Sequence, residues 1–339
     1  MVRVVLLLMV VLAVASLSVF WFVADFDRQR FQPKRLSDLL APIGDPLAAL
    51  VSSAEQDRID ALKPFRKAPS RVASRAPLER VFNHSDVPRD FLKQGGQFRE
   101  LSFAGRLVVV FEPLSVVKRL GAKAQIPTPV PLVLAFHDAN SSAWQLALHR
   151  CGFAKRASRH NFVAAFLQAN DPDPVPTFDV DLHRTTKAAW RTALSVDETD
   201  MRDDIAFTST VLDDLLLRYS VDRRQVFAVG FGSGAVFAVR AALFFATTWA
   251  SVVLVGGGLD DRVTPGPWAA ERLPPLLIIT KRGDAQRHLA QEARDLFRGA
   301  NGEAKLIELS ESASLRTYNS TLEEHEIMPF LTTHRLVNG

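Results

Sequence analysis

The chain has 339 residues, 47% of them hydrophobic and 23% charged, with a single cysteine. That length buries a large core, and neither fraction is that of a disordered chain. One cysteine, Cys151, excludes an internal disulfide, and no Cys/His spacing resembles a zinc site, so neither metal nor cofactor is expected. The net charge of +4 is concentrated near the N-terminus: residues 25–93 hold 13 Lys and Arg against 10 Asp and Glu, and Arg3 adds one more. The remainder is neutral, which lacks the basic footprint of a nucleic-acid-binding protein.

Residues 4–24 carry only Ser16 and Ser18 as polar side chains, a run long enough to cross a bilayer as a helix. Besides a buried terminal helix, two readings stand for residues 1–24. One is an uncleaved signal anchor, with Phe20, Trp21 and Phe22 in an interfacial belt. The other is a cleaved signal peptide with a small-residue site at Ala13-Val14-Ala15. A membrane is therefore the expected partner, or the protein is secreted. Arg28, Arg30, Lys34 and Arg35 favour a cytoplasmic body by the positive-inside rule. Three glycosylation sequons, beginning at Asn83, Asn140 and Asn319, favour an extracytoplasmic or lumenal one, which is the reading adopted. Residues 25–95 are broken by seven prolines and read as a basic stalk with one short helix over 54–62.

From residue 96 to 339 strands and helices alternate. Residues 98–103 and 106–111 flank Ala104-Gly105 as a hairpin. Residues 132–136 are a continuous apolar run, as expected of a strand covered on both faces. A helix near 143–157, a strand at 162–167 and a helix over 199–219 follow, the last with Asp213 and Asp214 turned outward. Strand 226–229, helix 233–245, strands 252–255 and 276–279, helix 285–297 and strand 305–309 continue the order. The final helix starts near Ser320, where Ser320-Thr321-Leu322-Glu323 has capping-box form, and Pro329 kinks it. The pattern predicts an α/β fold with a mostly parallel sheet and helices on both faces.

Within this order, Val226-Phe227-Ala228-Val229-Gly230-Phe231-Gly232-Ser233-Gly234-Ala235 is an apolar strand entering a glycine-dense turn and then an apolar helix. It resembles the nucleophile elbow of the α/β-hydrolase fold. With Asp203-Asp204-Ile205-Ala206-Phe207, Asp213-Asp214-Leu215 and Arg218-Tyr219-Ser220-Val221-Asp222-Arg223-Arg224, it is similar to polyhydroxybutyrate depolymerase and feruloyl-esterase-like esterases. The resemblance runs loosely from residue 96 to 336.

What the resemblance implies for the site departs from the family at three points. The nucleophile position falls on Gly232, and Ser233 comes one residue late, either as helix N-cap or as a shifted nucleophile. The acid position matches Asp284. No histidine follows the last strand in residues 311–318, which leaves His325 as a displaced base, with His288 and His334 as surface or packing residues. The oxyanion loop, His-Gly in the family, reads His137-Asp138-Ala139-Asn140, and Asp138 sets a negative charge where an oxyanion would develop. Gly232 and Gly234 complete the elbow. The resemblance thus implies a carboxylic-ester-hydrolase lineage with impaired catalysis, acting as a binding or scaffold protein for an ester or glycan-type ligand. The alternative is an active serine esterase using Ser233, Asp284 and His325. A carbohydrate- or polyester-binding role would set Trp144, Trp190 or Trp268 in a pocket.

Overall fold

The computed structural model describes residues 78–81, 95–103, 105–120, 128–170, 188–190, 199–245, 247–259, 273–300, 302–312 and 318–336. All of them fall in the unit Pro64–Gly339. The apolar segment 4–24, the helix expected at 54–62, Asn83 and Trp268 lie outside the described residues. Among the described residues, no helix is long and apolar enough to cross a membrane.

The chain order is β1 (Leu78–Val81), β2 (Gly96–Phe103), β3 (Arg106–Pro113), α1 (Leu114–Leu120), β4 (Val130–Phe136), α2 (Ala143–Gln145), a π-wound turn at Leu146–Arg150, α3 (Phe153–His160) and β5 (Val163–Leu167). It continues with α4 (Thr199–Arg218), β6 (Val221–Phe231), α5 (Ser233–Phe244), β7 (Ser251–Val255), β8 (Leu276–Lys281), α6 (Arg287–Gly299), β9 (Ala304–Leu309), a π-wound segment at Tyr318–Ile327 and α7 (Met328–Thr333). The strands form one sheet in the order β1-β2-β3-β5-β4-β6-β7-β8-β9. Pairing is parallel from β5 through β9 and antiparallel among β1, β2, β3 and β5.

Period-two alternation sends successive side chains to opposite faces, and both faces are covered. Leu132, Leu134 and Phe136 of β4 join Ala228, Leu254 and Ile278 under α4, α5 and α6. Val133 and Ala135 join Val229, Val253 and Ile279 under α2, α3 and α7. β4 has β5 on one side and β6 on the other, so the chain reverses its winding there, and ligands in open α/β sheets bind at the carboxyl ends of strands at such a point.

The sheet starts earlier than the sequence suggested. Leu78–Val81, inside the segment read as stalk, is an edge strand paired with β2 over Ser102 to Arg99. Its four residues, Leu-Glu-Arg-Val, are too few and too charged for a hydrophobic signal, although charge is common on edges. Glu79 pairs with Arg99 and, at 2.9 Å, with Arg218. Arg99 in turn bonds the buried Glu112 at 2.6 Å, which also accepts from Gln97 at 2.5 Å and from the Tyr219 hydroxyl. Burial, with the Glu112 charge beside it, pushes the Tyr219 phenol well above its ordinary range.

Two further expectations are corrected. The helix expected at 143–157 is interrupted at Cys151-Gly152, with Gly152 opening α3. The last helical segment begins at Tyr318, ahead of the expected cap at Ser320, and Glu323, fully buried, accepts the Gly152 N–H at 2.8 Å with one oxygen and 3.0 Å with the other. Helix α1 carried no signal that the sequence reading used. The remaining strands and helices lie where the pattern placed them, within a few residues.

Candidate active site

β6 ends at Phe231, and the chain turns through Gly232 at φ +54° and ψ −119° before α5 begins at Ser233. Only glycine takes such a conformation without strain. Its neighbours two residues away are held as tightly: a Cβ on Gly230 would lie 2.2 Å from the Gly234 carbonyl oxygen, and one on Gly234 would lie 2.3 Å from that of Phe136. The residue with the nucleophile's backbone conformation is therefore Gly232, flanked at −2 and +2 by the small residues an elbow requires.

Ser233 is the first residue of α5, not its N-cap. Its Oγ makes no capping hydrogen bond and is buried without a partner among the described residues. Capping comes from elsewhere in the chain. The loop after β4 carries Asp138 to the turn, where its Oδ1 accepts from the Ser233 N–H at 2.9 Å and from the Ala139 N–H at 2.7 Å. A Cβ on Gly232 would lie 2.0 Å from that Oδ1, 2.2 Å from Cγ and 2.5 Å from Oδ2. The Asp138 carboxylate thus stands where a nucleophile's side chain would start. The two N–H groups it occupies are the amide after the nucleophile position and one from the β4 loop, the pair that forms the oxyanion hole at an elbow.

His137 fixes this loop. It is fully buried, its Nε2 accepts the Ala169 N–H at 2.9 Å, and its Nδ1 stands 2.7 Å from the Asp138 carbonyl. With Nε2 accepting, the ring proton must be on Nδ1, donating to that carbonyl. Burial lowers its pKa to about 4, so the ring is neutral and already fully bonded. Trp190 donates its indole N–H to the His137 carbonyl at 2.9 Å and stacks on Phe237 of α5. Behind it, Arg106 lies 3.8 Å above the Phe207 ring and pairs with the buried Asp204 at 2.7 Å, tying α4 to β3.

The other expected site residues are placed without joining Ser233. Asp284 lies in the turn between β8 and α6, where its Oδ1 accepts the Gln286 N–H at 2.9 Å, an Asx-type turn. His325 is exposed on the π-wound segment. His288 contacts the Ala285 carbonyl at 2.9 Å through Nδ1, and His334 the Phe330 carbonyl at 2.6 Å. Since Ser233 Oγ has no partner, none of the described histidines is hydrogen-bonded to it. Trp144 and Trp190 are packed in the core, and Trp144 bonds the buried Glu100 at 2.6 Å, so of the three tryptophans expected to line a pocket these two do not. Sequence reasoning flagged Asp138 as a charge opposed to catalysis but missed its bond to Ser233. Nothing local signals it, because the two residues are 95 positions apart.

A strand order with one reversal at β4, a strained glycine-flanked turn after β6 and a facing loop from β4 decide the architecture. The fold is that of the α/β-hydrolases. Solved structures with this α/β-hydrolase fold include the S-formylglutathione hydrolase of Agrobacterium tumefaciens, 14% identical, covering 71% of this chain and 96% of its own, with a TM-score of 0.51. The S-formylglutathione hydrolase FrmB of Staphylococcus aureus is 10% identical and covers 76% of this chain and 98% of its own, with the same TM-score of 0.51. In sequence the chain resembles α/β-hydrolase esterases. It is 28% identical over 253 residues to NocK of Nocardia uniformis subsp. tsuyamanensis, a protein assigned provisionally as an esterase. That match covers 71% of this chain, and the chain spans 63% of the length of NocK. No protein-family model matches the chain.

Proposed function

We propose that this is an α/β-hydrolase-fold protein of carboxylic-ester-hydrolase lineage that binds an ester or glycan-type ligand without hydrolysing it, and that residues 4–24 hold it at a membrane. One observation carries the catalytic half of this reading. The Asp138 carboxylate stands in the space of a nucleophile side chain and occupies both oxyanion-hole N–H groups. An acyl-transfer site needs a hydroxyl on the strained residue and free donors for the oxyanion, and Gly232 and Asp138 remove both. The buried, unpartnered Oγ of Ser233 supports the same reading, because a serine nucleophile needs a base within hydrogen-bond reach.

The test is a fluorophosphonate probe applied to the folded protein and to Ser233→Ala, alongside hydrolysis of short acyl nitrophenyl esters. Neither labelling nor turnover above background is expected from either protein. Labelling that Ser233→Ala abolishes would overturn the proposal in favour of an active esterase. For the membrane half, alkaline carbonate extraction with N-terminal sequencing is decisive. Retention in the membrane pellet with Met1 or Val2 at the N-terminus supports an anchor; a mature chain beginning near Ser16 means a cleaved signal.

A further inference from the structure

Apart from the elbow, one face of α6 concentrates positive charge. Arg287, Gln291, Arg294 and Arg298 recur at intervals of four, three and four, which puts them on one stripe of the helix. The inward stripe is Ala290, Ala293 and Phe297, all buried. The arginine stripe faces the edge strand β9, and with Arg282 from the turn after β8, Leu306 and Glu308 it lines an open cavity of about 500 Å³. Four guanidinium groups therefore surround one carboxylate. The cavity shares no lining residue with the elbow.

The internal pairs leave this charge largely uncompensated. Arg287 bonds Glu308 at 2.7 and 3.2 Å, Arg294 bonds its neighbour Asp295 at 2.8 Å, and Arg298 donates twice to the Ala304 carbonyl, at 3.1 and 2.9 Å. The Arg287 hydrogen bond, with Arg282 and Arg294 nearby, holds the Glu308 carboxyl below the usual range, so Glu308 and Asp295 are two anions among four cations. Exposed pairs of this kind contribute little to stability and are readily exchanged for a better acceptor. Clustered like charges on a neutral body gain nothing for the fold.

We propose that this groove binds a compact polyphosphate anion, either free or as the headgroup of a polyphosphorylated lipid. Guanidinium forks match phosphate oxygens two at a time, and several forks converging on one hollow favour several phosphoryl groups close together. From Arg287 to Arg298 the stripe runs about 16 Å along the helix axis, and its side chains line a single cavity. Among the described residues the lining holds no aromatic side chain on which a base could stack. The volume is that of a small-molecule site.

The experiment is titration calorimetry of the purified full chain with tripolyphosphate at two salt concentrations. It is repeated on Arg282→Ala/Arg294→Ala, whose side chains bridge no two strands, and on Arg282→Lys/Arg294→Lys. Saturable binding to the wild-type chain that weakens with salt is expected. The alanine pair should lose roughly tenfold or more in affinity with an unchanged melting temperature, and the lysine pair should fall in between. Residues 4–24 would carry the chain onto vesicles of neutral lipid, so the two sources are separated by the extra flotation that a bisphosphorylated inositol lipid adds. An increment that tripolyphosphate competes away and the alanine pair loses assigns the lipid headgroup; tripolyphosphate binding without an increment assigns a free anion. No saturable binding in either arm, or equal affinity in the alanine pair, overturns the proposal. Neither result touches the reading of the elbow.

Discussion

Replacing Gly232 by Ser tests whether Asp138 and the elbow exclude one another. Two costs arise from the geometry. A side chain at φ +54° is strained, which costs about 1–3 kcal/mol. Its Cβ would also meet the Asp138 carboxylate at 2.0 Å, an overlap that displaces the loop for a further 1–3 kcal/mol or so. Asp138→Gly alone removes an acceptor from the Ser233 and Ala139 N–H groups, at about 1 kcal/mol, because both donors then face solvent. In the double variant the overlap vanishes, so the two costs should fail to add by about 1–3 kcal/mol in the compensating direction. Asp138→Asn, equal in volume, should give no such relief. Urea unfolding of wild type, both single variants and the double variant closes the cycle. Additivity within about 0.5 kcal/mol would show that the carboxylate does not occupy the nucleophile's space in solution.

Buried ionisable groups give two predictions of opposite sign. His137 has its pKa lowered from 6.5 to about 4, so the unfolded chain takes up a proton that the folded one refuses; stability is lost as pH falls from about 6.5 to 4, by about 3 kcal/mol in all. In urea titrations His137→Asn should flatten that limb, and persistence of the wild-type slope would refute the assignment. Glu323 has its pKa raised from 4.5 to about 8, chiefly by burial, so the folded state holds a proton the unfolded one releases; stability falls as pH rises from about 4.5 to 8. Between pH 6.5 and 8 this group acts without His137, and Glu323→Gln, which keeps an acceptor for Gly152, should abolish the decline; equal slopes in the two proteins would sink the idea. Tyr219→Phe removes a donor from the buried Glu112 and should cost about 1–3 kcal/mol, measured by thermal or urea unfolding.

Most of the fold could be read from the chain because its central strands are apolar runs. Residues 132–136, 226–229, 252–255 and 276–279 carry the burial that defines them. The edge at Leu78–Val81 could not be read, since a four-residue charged strand gains its identity from its partner β2. At the site, the spacing of Gly230, Gly232 and Gly234 located the elbow and the missing hydroxyl. The occupant of the vacated space was not legible, because Asp138 reaches Gly232 only when β4 and β6 lie side by side. Glu323 misled for the same reason: Ser-x-x-Glu spacing predicts a local cap, but its carboxylate is spent on Gly152, 171 residues away. The arginines at 287, 294 and 298, by contrast, share a helical periodicity that is visible in the chain.

Strand β1 also bears on how the protein can be cut. It covers Arg99 to Ser102 of β2, which would otherwise present a row of unpaired N–H and C=O groups along an eight-residue strand. A recombinant body begun at residue 92 discards that cover along with Glu79, leaving Arg99 and Arg218 without a shared partner. Bare edges of this kind pair with copies of themselves. Aggregation of such a truncated body would reflect the lost strand rather than an unstable core, and a body begun upstream of Leu78 should stay dispersed.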